Sequence, residues 1–68
     1  MSRALYNAVV IPEVVELIAQ RYRIPVEEAL DRFYTSETAS ALNDPETGLY
    51  GQSALFLFSQ YLAEKEAK

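Results

Sequence analysis

Apolar positions along the chain recur with a helical period, and proline and glycine interrupt them. Turned at about 100° per residue, Val14, Leu17, Ile18 and Tyr22 fall on one side of a helix, with Glu13, Glu16 and Gln20 opposite. Val10 and Ile11 carry this arc backwards, and Asn7 interrupts it. The spacing predicts a first helix that starts between Ala8 and Pro12 and runs to Tyr22, with Asn7 as its N-cap. A start as early as Arg3 would put Pro12 inside the helix, at a cost of about 3 kcal/mol and with a kink. Arg21 lies near the edge of the arc, where its stem can pack while its head reaches water.

The second helix is expected from Pro25 to Tyr34. Proline suits a first helical position, and Glu27 and Glu28 meet the positive end of the helix dipole. Val26, Ala29, Leu30, Phe33 and Tyr34 make one continuous apolar face, and Glu27, Glu28, Asp31 and Arg32 make the other. A short third helix, about Ser36 to Asn43, has Thr35 or Ser36 as cap and Leu42 and Ala39 as anchors. It cannot hold itself together in water. Ser53 caps a fourth helix ending at Ala63 or Glu64. Its Leu55, Leu57, Phe58, Tyr61 and Leu62 cover an arc of roughly 160°. Phe56 points away from that arc, and the tail Glu64–Lys68 is expected to fray. Together these elements predict a small all-α bundle of three to four helices, one domain over residues 1–68.

Both glycines lie in the stretch DPETGLYGQS, Asp44 to Ser53. Asp44-Pro45-Glu46 fits a turn, with Asp first and Pro second, and Gly48 fits a left-handed residue that ends it. Gly51 and Tyr50 exceed what a turn needs. The expectation is that Gly51 lets the chain pass close to another backbone while Tyr50 turns inward between helices.

Composition narrows the chemistry. With 68 residues and no cysteine, the domain has a small core and no disulfide to reinforce it, which leaves oligomerisation as a route to more buried surface. No histidine is present, which removes the commonest general base near neutral pH and the commonest metal ligand. The serines and threonines therefore have no imidazole to activate them. Gly48-x-x-Gly51 lacks the lysine and the strand–loop–helix setting of a phosphate loop, and Asp44 to Glu46 lacks the ligand spacing of a calcium loop. Neither a catalytic residue, a cofactor nor a metal site is expected, and the chain reads as a non-enzyme. No apolar run has the length of a signal peptide or a membrane span, so a soluble cytoplasmic protein is expected.

The net charge of −4 is unevenly spread. Residues 25–48 set Arg32 against Glu27, Glu28, Asp31, Glu37, Asp44 and Glu46, or 1 − 6 = −5. An acidic middle repels phosphate and suits a basic protein surface. The exposed face of the second helix carries mainly acids and the third has only Asn43, where a helix-turn-helix needs several basic and amide side chains to read DNA. The 5 tyrosines, set in a chain without tryptophan, point to a contact role, because tyrosine joins apolar area to a polar tip. Tyr22, Tyr34 and Tyr61 have core-edge spacing. Tyr6 and Tyr50 fall outside it. With Phe56, Glu27 and Asp31 they are the candidate partner contacts, set against packing inside the monomer and a solvated acidic face.

The stretch EALDRFYTSETASALNDPETGLYGQS, Glu28 to Ser53, resembles a group of short bacterial proteins of unknown function. Some of those are encoded beside predicted ADP-ribosyltransferase toxins. The resemblance is carried by Phe33-Tyr34, Ser36 and Thr38, Leu42, an acidic turn ending at Thr47, and Leu49-Tyr50 before Ser53. Gly48 and Gly51 depart from the group's more polar turn. The resemblance implies no catalytic residue. Together with the −5 segment, it points to an accessory or antitoxin-like partner whose acidic middle covers a basic site. The alternatives are a small homo-oligomeric structural protein and a DNA-binding regulator. The acidic faces argue against the last of these, so the expected partner is another protein or a second copy, without nucleic acid or membrane.

Overall fold

A computed structural model describes residues 3–66 and shows a small all-α bundle of four helices, with no strand among those residues. They are α1 (Arg3–Tyr22), α2 (Val26–Tyr34), α3 (Glu37–Leu42) and α4 (Ala54–Glu66), with a 3-10 turn at Pro45–Thr47 before α4. The helices form a ring in which α1 packs on α2 and α4, and α3 packs on the same two. Val14, Ile18, Phe33, Leu57 and Tyr61 fill its centre. The Phe33 and Tyr61 rings lie 6.5 Å apart, and Tyr22 meets Tyr61 edge-on at 6.4 Å.

α1 begins at Arg3, so Asn7 is not its cap but lies within it. Tertiary contact outweighs the local break. Tyr6 and Val10 are both buried, and the Tyr6 hydroxyl donates to the Gln52 carbonyl at 2.7 Å. Pro12 stands inside the helix, where it has no N–H to offer the Ala8 carbonyl. The helix closes on Arg23 at φ 55°, with the Ile24 N–H donating to the Ala19 carbonyl at 3.1 Å. That six-to-one bond over a left-handed residue is a Schellman cap, built here without glycine.

α2 starts one residue later than expected, with Pro25 as its N-cap. Ser36 resolves the choice of cap for α3. Its hydroxyl accepts from the Ala39 N–H at 3.1 Å and donates to the Phe33 carbonyl at 2.5 Å, which locks the α2–α3 corner. Asp44 caps the 3-10 turn through the Glu46 N–H, and Gly48 ends it at φ 74° as the turn chemistry required. Gly51 is also left-handed, at φ 93°, and beyond its own chain neighbours no atom of the described residues lies within 4 Å of where its Cβ would stand. The close-approach reading of Gly51 is thereby corrected: backbone conformation, not crowding, selects glycine there. The Tyr50 ring sits 4.7 Å from that of Tyr6 and is half-buried.

The end of α4 departs most from expectation. Glu64 does not fray. Its carboxylate accepts from the Glu37 N–H, the Thr38 N–H and the Thr38 hydroxyl at 2.9, 2.9 and 2.8 Å. α4 thus supplies a second, long-range cap to α3. Two residues on, Glu66 takes hydrogen bonds from Arg21 and Tyr22, at 2.7 and 2.9 Å, on the side facing α1. Residues 67 and 68 of the expected fraying tail lie outside the described residues.

Candidate functional site

Five residues were marked by the sequence as partner contacts, and the structure does not gather them into one patch. Tyr6 is 8% exposed and belongs to the core, which corrects its reading as a contact residue. Burial raises the pKa of its hydroxyl, although the Gly51 and Gln52 backbone opposes the shift. The group stays protonated and holds the loop to α1. Tyr50 packs on it, so this pair works mainly inside the monomer. Phe56 is 40% exposed on α4, as its position off the apolar arc requires. Leu55, expected inside the arc, is 67% exposed beside it. Glu27 and Asp31 are exposed on the outer side of α2.

The apolar face of α2 provides the main correction. Only Ala29 and Phe33 of its five apolar residues are buried. Val26, Leu30 and Tyr34 are 46%, 38% and 58% exposed, so Tyr34 is no core-edge residue. The cause is geometric. Around the α2 axis the five side chains span an arc of about 140°, more than α1 and α3 cover. Val26, Leu30 and Tyr34 are four apart in sequence and form a row along the uncovered edge. The next row round the helix is Glu27 and Asp31.

This row forms one wall of a groove of about 540 Å³. The opposite side is α1, which contributes Ala4, Ala8, Ile11 and Val15, with Pro12 and Glu16 at one end. Ala4 and Ala8 are small, so the floor lies close to the α1 backbone. Glu16 is the charged residue among the described side chains lining the groove. Asn7 also lines it, and its Oδ1 is buried without a partner among the described residues. Arg32 is turned to the far side of α2, where it pairs with Glu28.

The groove was not legible beforehand because periodicity ranks faces without measuring how many neighbours cover them. The one sequence sign of it was the breadth of the α2 apolar face. The arrangement offers apolar contact area with an acidic edge. No group of three or more His, Cys, Asp or Glu stands close enough to hold a metal ion among the described residues. Among those residues, too, no helix is long and apolar enough to cross a membrane. Compared with models of known protein families, with curated proteins and with solved structures, the chain finds no match.

Proposed function

We propose that the chain is a non-catalytic protein-interaction module, an accessory or antitoxin-like partner that covers a basic site on another protein. The observation that carries this reading is the uncovered row Val26–Leu30–Tyr34 beside Glu27 and Asp31 on α2. Apolar side chains held in water at helical spacing are a standing gain for any surface that covers them. The carboxylates beside them speed the approach of a basic partner and turn an acidic one away. The −5 segment of the sequence and its resemblance to short bacterial proteins, some encoded beside predicted toxins, support the same reading.

Native mass spectrometry of the chain purified from its own cell tests it. The expected result is a stoichiometric complex with another protein that is lost in the Glu27→Lys/Asp31→Lys variant and kept in Gln60→Lys. A chain that purifies without such a complex refutes the antitoxin-like role.

A second reading rests on α4. Leu55 and Phe56 are both exposed there, on an element whose neighbours in the ring are α1 and α3. A small homo-oligomeric structural protein would use this face. Its signature is a solution mass above the monomer that falls to monomer in Phe56→Ser. A monomeric mass for the unaltered chain at high concentration removes it.

A further inference from the structure

We infer that the α1–α2 groove receives a single amphipathic helix whose apolar stripe is flanked by lysine or arginine. The inference rests on the interaction role proposed above and names the chemistry of the occupant.

Three observations select it. The first is shape. The groove runs between two helices, with Ala4 and Ala8 low on one side and the row Val26–Leu30–Tyr34 high on the other. Rows four residues apart bounding a furrow are what the ridge of a third helix packs into. Anchors at positions one, four or five, and eight of such a helix would fall along it. The second is length. The groove's α1 lining, Ala4 to Glu16, rises about 18 Å and its α2 wall, Val26 to Tyr34, about 12 Å, the length of a helix of about eight to twelve residues. The third is charge. Glu16 stands at one end of the groove and Glu27 and Asp31 form the row beyond its α2 wall, while Arg32 is paired away with Glu28. A basic margin on the incoming helix satisfies all three carboxylates.

The same charges disfavour the other occupants. A second copy seated by two-fold symmetry would bring Glu16, Glu27 and Asp31 of both chains together, which repels. Nucleic acid meets the same carboxylates. A small ligand would find polar groups at Asn7, Glu16 and Asn43 but little enclosure, because the α2 wall remains open to solvent.

The test uses two synthetic fourteen-residue helical peptides with one leucine stripe, flanked by lysine in one and by glutamate in the other. Binding to the full chain is measured by fluorescence anisotropy at low and high salt, and located by amide shifts in NMR. The lysine peptide is expected to bind saturably, at least tenfold more tightly than the glutamate peptide, and more weakly as salt rises. Its shifts fall on α2 and the first half of α1. Leu30→Ser and, independently, Tyr34→Ser each cut its affinity tenfold or more with unchanged helical circular dichroism. Glu27→Lys/Asp31→Lys reverses the preference between the peptides. Binding of the two peptides within twofold of each other overturns the inference. So do shifts centred on Leu55 and Phe56, a groove-dependent dimer dissolved by Leu30→Ser, or no binding. If neither peptide binds while the native complex forms and depends on Glu27 and Asp31, the helical occupant is wrong and the interaction role stands.

Discussion

Replacing Glu64 by alanine removes the contact that ties the end of α4 to the start of α3. Three hydrogen bonds to one carboxylate are lost, from the Glu37 N–H, the Thr38 N–H and the Thr38 hydroxyl. The Glu37 N–H is exposed and can turn to water, whereas the two Thr38 groups are partly buried. A hydrogen bond to a charged acceptor contributes about 1.5–3 kcal/mol, and loss of an ordinary N-cap costs about 0.5–2 kcal/mol. Allowing for recovered solvation, the cost of Glu64→Ala is about 2 kcal/mol. For a domain of this size that lowers Tm by about 8–16 °C. It is a large fraction of a total stability of roughly 3–10 kcal/mol.

The pH dependence follows from the same contacts. Burial pushes the Glu64 carboxyl up, but the hydrogen bonds from Glu37 and Thr38, with Lys65 nearby, outweigh it and hold the carboxyl below the usual range. A folded pKa below the unfolded value of about 4.3 contributes stability above that pH, lost as pH falls through the folded value. Hydrogen bonds from Arg21 and Tyr22 depress Glu66 in the same direction. Thermal melts by circular dichroism at neutral pH and stepwise to acid check the reasoning. The gap between the parent and Glu64→Ala should be widest at neutral pH and close in acid, because the parent then also loses its carboxylate. Glu64→Gln, which keeps one acceptor oxygen, should fall between them. A neutral-pH change in Tm below about 2 °C, or a gap that stays constant into acid, refutes the long-range cap.

Two further outcomes concern strain and burial. Arg23 and Gly51 are both left-handed, at φ 55° and 93°. Arg23→Gly should therefore stabilise by about 0.5–1 kcal/mol and Gly51→Ala should destabilise by about 1–2 kcal/mol, opposite signs that urea titration resolves. Asn7→Ala removes a buried oxygen that has no partner among the described residues and installs the best helix former. A rise of about 1 kcal/mol in stability is expected by the same titration, and a fall would show that Oδ1 is satisfied in solution.

Periodicity and caps carried the fold a long way. The four helices, the Ser36 and Ser53 caps, and the left-handed Gly48 are local matters. A side chain and a backbone N–H three residues away decide each cap, as when Ser53 Oγ accepts from the Phe56 N–H at 3.2 Å, and backbone conformation alone selects Gly48. The outward placement of Phe56 was legible too, since one residue set against a stripe has nowhere else to point.

What escaped the sequence depends on partners far along the chain. Asn7 reads as a cap until Tyr6 is seen anchored to a carbonyl 46 residues away. Glu64 reads as a fraying end until the bare N–H groups of α3 are placed opposite it. The groove is of the same kind. Val26, Leu30 and Tyr34 have the composition and spacing of core residues. They stand in water because a ring of four helices in so small a domain has too little surface to cover an arc that broad. Sequence determined which faces are apolar and where the local caps stand, at Ser36, Ser53 and Gly48, because those follow from contacts within a turn, whereas the true start of α1 and end of α4 did not. Only the tertiary structure decided which apolar faces are covered, because coverage is set by how many neighbours the rest of the chain can bring.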